Sequence, residues 1–287
     1  MAADPSWPLL LLDAASHVLT LLLVALGLAV TFGLMGVINL AHGGLVVLGA
    51  YTVFAVERAG LGFWAGLLAA PLLVGLVGLV LQILIVRRIQ HRPLDTLVAT
   101  WGVGLAIEQT IVLVFGAASH TVAPPFTTTV AIAGSSYPAY RLFVMAVALA
   151  ATGFTLWLLL RTRLGLMVRG TVADRRLAAA TGLPIRRLDA GTFAYGSGLA
   201  GLAGAVTAPL MSIDPQMGTG FLLPAFLAVL VAPFAGPLGT VAGAGLVGGT
   251  ESFVSAVASP VAAQLVVLAG AVVLLRLAAG RRVGRER

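Results

Sequence analysis

The chain of 287 residues is 60% apolar and only 9% charged, with a mean hydropathy of +1.07 and a formal net charge of +7. Soluble domains carry about 25% charged residues, so this composition excludes a water-soluble fold and points to lipid as the solvent. Cysteine and lysine are both absent, which excludes disulfides, thiolate metal sites and the lysine-dependent phosphate loop of ATPases.

If ATP energises this chain, another polypeptide must hydrolyse it. All seventeen basic residues are arginine, and fifteen of them fall within residues 87–92, 161–187 and 276–287. Basic loops between apolar spans mark the cytoplasmic side of a membrane. The charge is therefore read as topology, and no nucleic-acid partner is expected.

A spanning helix needs about 20 mainly apolar residues. In chain order the candidates are residues 9–32, 43–56, 63–86, 94–116, 141–160, 189–211, 221–234, 238–257 and 261–278. The first lacks a basic leader and is long enough to span, so it reads as a retained helix and not a signal peptide. The second and seventh are short. Gly36, Gly43 and Gly44 flank the second, and Pro224, Pro233 and Pro237 interrupt the seventh. Paired discontinuous helices point to a transport path. The predicted fold is all-α: one polytopic transmembrane helical bundle over residues 1–287, with eight to ten membrane elements, some discontinuous.

Residues 117–138 are polar, hold three prolines and lack arginine. They are expected outside, as short β or irregular structure. Residues 161–188 form the longest cytoplasmic loop, where RLAAAT favours a helix that Gly182 and Pro184 stop. Ser197/Gly201, Ala200/Gly204, Gly239/Gly243 and Gly245/Gly249 have the spacing of closely approaching helices, read as contacts within one bundle.

Few residues carry chemistry. An ionisable group inside an apolar span usually faces the bundle interior or water. Glu108 lies beside Gln109, and Trp101 precedes it by seven residues, on the same helix face. An aromatic surface beside a carboxylate and an amide suits a polar, hydrogen-bonding solute; a structural pair or an outer-interface position is the competing reading. Asn39 and His42 share a face if their segment is helical, either lining a path or capping a helix. Glu251 is a candidate cavity or gate residue, and Asp214 in SIDPQ a solvated turn residue. Ser197 and His42 have no third group to form a hydrolase site. No histidine has further ligands at metal spacing. No catalytic residue, metal or cofactor is expected on this chain.

GLMGVINLAHGGLVVLGAY (residues 33–51) and the run from Arg161 to Val206 resemble the permeases of branched-chain amino acid and amide ABC importers, in order and separation. The likeness covers residues 15–275. RPLDTLVATWGVGLAIEQ (residues 92–109), with ATWG at 99–102, is most similar to the urea permease branch. The chain departs from the family pattern at Gly44, at Ala232-Pro233 and in its tail.

The resemblance implies a bacterial inner-membrane, multi-pass permease subunit that moves urea or a short amide by alternating access. A branched-chain amino acid permease and a passive urea/amide channel are the alternatives. It implies a second permease subunit (a different chain or a second copy), two cytoplasmic ATPases that use ATP, and an external solute-binding protein. Asn39, His42, Trp101, Glu108, Gln109 and Glu251 would line the pathway. Arg169, Asp174, Arg175, Ala178 and Gly182 would couple it to the ATPases.

Overall fold

In lipid, backbone polar groups must be satisfied internally, so long apolar runs fold as helices. The computed structural model describes residues 7–90, 92–132, 135–231, 236–259, 261–270 and 273. Helix α1 (Trp7–Met35) is followed by α2 (His42–Arg58) and α3 (Gly62–Leu81). The latter runs through a π-helical turn (Gln82–Val86) into α4 (Arg87–Ile89), then α5 (Pro93–Phe115). A hairpin of β1 (Thr129–Ile132) and β2 (Ser135–Pro138) precedes α6 (Ala139–Arg161). Next come α7 (Arg163–Ala173), α8 (Arg175–Ala180), α9 (Ile185–Thr207), α10 (Met217–Val231) and α11 (Gly236–Val257). A short apolar helix, α12 (Val261–Gly270), follows.

Four described helices are long and apolar enough by composition to cross a membrane: Pro8–Met35, Gly62–Ile89, Leu94–Phe115 and Ala139–Arg161. The structure is thus a helical bundle with several membrane-length helices. The hairpin forms where the polar, proline-bearing segment was expected. Ala232-Pro233, residues 274–278 of the last candidate span and the arginines at 276–287 lie outside the described residues.

The two ends of the bundle differ chemically. The hairpin end holds the start of α1: Arg141 pairs with Asp13, and the Tyr137 hydroxyl donates to the same carboxylate at 3.3 Å. Burial pushes the Tyr137 hydroxyl above its ordinary range, so it remains a donor. The loop after α5 joins the segment after α9 through an antiparallel bridge between His120 and Ile213. The opposite end carries the arginines at 87–88 and 161–187 with α7 and α8, matching a cytoplasmic face.

Helix α9 is the axis of the bundle, and its glycines make it so. A Cβ at Gly196 would press on the Gly27 carbonyl of α1 at 2.7 Å, and one at Gly201 on Val74 of α3 at 2.7 Å. A Cβ at Gly204 would collide with the Val46 carbonyl of α2. Three neighbours approach one helix at backbone contact, so the spacing read at Ser197/Gly201 and Ala200/Gly204 does serve contacts within the bundle. Gly243 likewise meets the Ala228 carbonyl of α10, whereas Gly245 and Gly249 have nothing opposite them.

Candidate functional site

Two short helices start inside the bundle. At ~1.5 Å per residue, α2 and α10 reach about 25 and 22 Å, less than the ~30 Å hydrocarbon core. Gly36, with φ of +68°, ends the α1 turn, and residues 36–39 run without helix before α2 begins. His42, first in α2, donates from Nε2 to the Val24 carbonyl at 2.9 Å. Val24 sits near the middle of α1, so α2 begins at mid-depth, entered from the arginine-rich end. Helix α10 begins at the same depth from the other end, after the Asp214-Pro215 turn. A Cβ at Gly43 would meet the Gly218 carbonyl at 2.8 Å, so glycine is required where the two N-termini touch. Each terminus carries the positive end of a helix dipole.

Polar side chains hold this junction. Asn39 is non-helical: its Oδ1 accepts from the Ala41 amide at 3.2 Å, and its Nδ2 is buried without a partner. The shared helix face expected for Asn39 and His42 does not form, because the chain turns between them. The Val24 carbonyl fixes the His42 tautomer with the proton on Nε2, leaving Nδ1 buried and unpaired. Thr100 of α5 accepts from the Leu40 amide at 3.1 Å, and Gly104 lies against Ala41.

Helix α5 therefore turns Thr100 and Gly104 toward the junction and other residues away. Trp101 is 57% exposed, and Gln109 is exposed beside it along the helix; Glu108, half-buried, lies at the edge of the inward stripe. Glu251 is on α11, where its carboxylate lies 3.3 Å from His17 Nε2 of α1. It lines a 180 Å³ cavity with Thr219 and Gly220 from the first turn of α10, Gln264 of α12, and the apolar Leu223, Leu227 and Val267. The six pathway residues thus fall in three places. Asn39 and His42 meet at the junction, Trp101, Glu108 and Gln109 share α5, and Glu251 stands apart. Gly218, His17, Thr219 and Gln264 were not singled out in the sequence. The Asp-Pro turn followed by Gly218 and Gly220 was the available signal for the α10 junction.

At the arginine-rich end the five coupling candidates lie on α7, α8 and the turns flanking α8. Asp174 caps α8, accepting from the Arg176 and Leu177 amides at 2.9 Å each. Arg175 pairs with the buried Asp189 of α9, a partner that sequence reading missed. Ala178 is buried, and Gly182 ends α8 with φ of +82°, a conformation that favours glycine. Arg169 donates from Nε to the Gly165 carbonyl at 3.4 Å. Among the described residues no cluster of potential metal ligands forms.

The sequence profile of the family described as branched-chain amino acid transport system / permease component matches residues 10–277. The chain is 23% identical over 246 residues to the high-affinity branched-chain amino acid transport system permease protein LivH of Salmonella typhimurium, covering 80% of this chain and 78% of that protein. It is 25% identical over 248 residues to LivH of Escherichia coli K12, with the same coverage. With BraD of Pseudomonas aeruginosa, which bears the same description, it is 26% identical over 257 residues, 82% of this chain and 81% of that one. No solved structure matches. The names of these relatives speak of branched-chain amino acids, so the urea branch expected from residues 99–102 gains no support from them. The match over nearly the whole length makes this chain a member of the permease-component family of branched-chain amino acid transport systems.

Proposed function

We propose that this chain is the membrane-spanning subunit of an ATP-driven importer for branched-chain amino acids, working by alternating access in a bacterial inner membrane. The observation that carries the reading is the cavity between α10, α11 and α12. It offers a carboxylate at Glu251, the first turn of a helix at Thr219 and Gly220, and an apolar wall at Leu223, Leu227 and Val267. An amino-acid zwitterion has an ammonium for the first, a carboxylate for the second and an aliphatic chain for the third. Urea is neutral and has no aliphatic chain, so it would leave that set of groups unused. His17 holds Glu251 until an ammonium displaces it.

The junction of α2 and α10 is the element that moves in this reading. Two helix starts in glycine-to-glycine contact can slide with little side-chain interlock, and Asn39 and His42 have unpaired polar atoms to exchange during that movement. Trp101 and Gln109 on the outward side of α5, with Glu108 at its edge, would face the second permease subunit across the path. The ATPases would dock on α7 and α8. An external binding protein would deliver the solute at the hairpin end. No ATP site is proposed on this chain.

The test is uptake into proteoliposomes holding the whole complex, with leucine, isoleucine, acetamide and urea as solutes. Leucine and isoleucine should be accumulated and should stimulate ATP hydrolysis. Accumulation of urea without leucine would overturn the reading. So would leucine flux that equilibrates without ATP.

A further inference from the structure

Helix α6 stands off α9 from the arginine-rich end to past mid-bundle, and the gap forms two grooves that share Tyr195. The first, 480 Å³, runs between α3, α6 and α9 past Ala150, Phe154, Gly198 and Leu202. The second, 280 Å³, continues toward the arginine-rich end past Leu34, Leu158 and Gly165 and ends at Arg187. Tyr195 lines both and reaches Thr155 of α6 at 2.7 Å. The walls are aliphatic and aromatic almost throughout. The charged residue lining the second groove is Arg187, which makes no ion pair among the described residues.

From these features we infer that an anionic phospholipid of the cytoplasmic leaflet seats between α6 and α9, with its phosphate at Arg187 and one acyl chain along the groove. Length supports this occupant. Arg187 to Leu202 is fifteen residues of helix, about 22 Å, so the slot takes a chain spanning one leaflet of ~15 Å hydrocarbon depth. Charge supports it too: basic pockets between membrane helices on the cytoplasmic side suit anionic headgroups. A helix from another protein would need no cation at the end of its slot. The headgroup would sit against α7 at Gly165 and α9 at Arg187, bridging the coupling region to the bundle axis.

The full-length permease is exchanged from detergent into an equimolar mixture of dioleoyl-phosphatidylglycerol and dioleoyl-phosphatidylcholine, and retained lipid is read by native mass spectrometry. Wild type should retain one phosphatidylglycerol in preference to phosphatidylcholine. Arg187→Gln, at an exposed position, should lower that preference about fivefold while a lipid is still retained. Ala150→Trp, also at an exposed position, fills the slot and should lose the retained lipid of either class. Equal retention of the two lipids by wild type, an unchanged preference in Arg187→Gln, or unchanged retention in Ala150→Trp would each overturn the inference. Cross-linking of Ala150→Cys in membranes to a protein chain instead of a lipid would also overturn it.

Discussion

The ion pair between Arg175 and Asp189 ties the short helix α8 to the central helix α9, and its two halves are unequally placed. The Asp189 side chain is 7% exposed and that of Arg175 is 37% exposed. Removing one partner of a buried pair costs about 3–5 kcal/mol because the other charge stays desolvated. Arg175→Ala strands the buried carboxylate, but Arg87 and Arg186 line the same 150 Å³ cavity as Asp189 and partly replace the lost cation. The expected loss is about 2–3 kcal/mol, below the full buried-pair figure. Asp189→Asn strands only a guanidinium that water already reaches, and should cost about 1 kcal/mol. Thermal unfolding of the purified complex measures both. Hydrogen exchange of the α8 amides shows whether α8 detaches from α9. The double variant should cost less than the sum of the singles, because the second substitution removes a charge already without its partner. In transport, each single variant should keep ATP hydrolysis while uptake falls. Equal losses from the two singles, or strict additivity in the cycle, would refute the burial argument. Normal uptake in Arg175→Ala would refute the coupling role.

Gly204→Leu should prevent correct assembly, since even its Cβ would collide with the α2 backbone. Gly245→Leu, with nothing within 4 Å of its added Cβ, should leave the amount of folded protein unchanged; size-exclusion profiles of the two variants make the comparison. Asp174→Ala removes the side-chain acceptor for the Arg176 and Leu177 amides and should destabilise α8 by about 1 kcal/mol, while Asp174→Ser restores most of it. Faster exchange confined to those two amides is the expected signature.

The spans were legible because hydropathy reports where lipid is the solvent. It does not report which helix is central, since lipid and bundle interior are equally apolar. The two most hydropathic stretches show this: Pro8–Met35 has 61% of its apolar window buried and Gly62–Ile89 only 28%. The axis, α9, has polar residues and glycine where they have leucine. Its burial comes from backbone contact, for which the small-residue spacing was the legible trace. The late start of α2 was legible too, through Gly36, whereas Pro224, expected to interrupt the seventh segment, lies inside α10. The meeting of α2 and α10 was not legible: Gly43 and Gly218 are far apart in sequence, and contact between two glycines leaves no pattern in either segment.

The scatter of the pathway residues follows from the same physics. Trp101, Glu108 and Gln109 do lie together on α5, where helix periodicity alone places them. Asn39 and His42 were grouped by a periodicity that did not apply, since Gly36 had already ended the helix. Glu251 was legible only as a charge in an apolar run, a signal that marks a residue without naming its partners. Its partner His17 and its cavity neighbours Thr219 and Gln264 come from three other helices. A tryptophan beside a carboxylate and an amide on one face of α5 would suit urea as well as an amino acid. In the proposed reading, Glu251, the first turn of α10 and the aliphatic wall lining the same cavity would take the ammonium, carboxylate and apolar chain of an amino acid. The choice between the two solutes therefore turns on contacts between helices, which local resemblance in the ATWG segment does not encode.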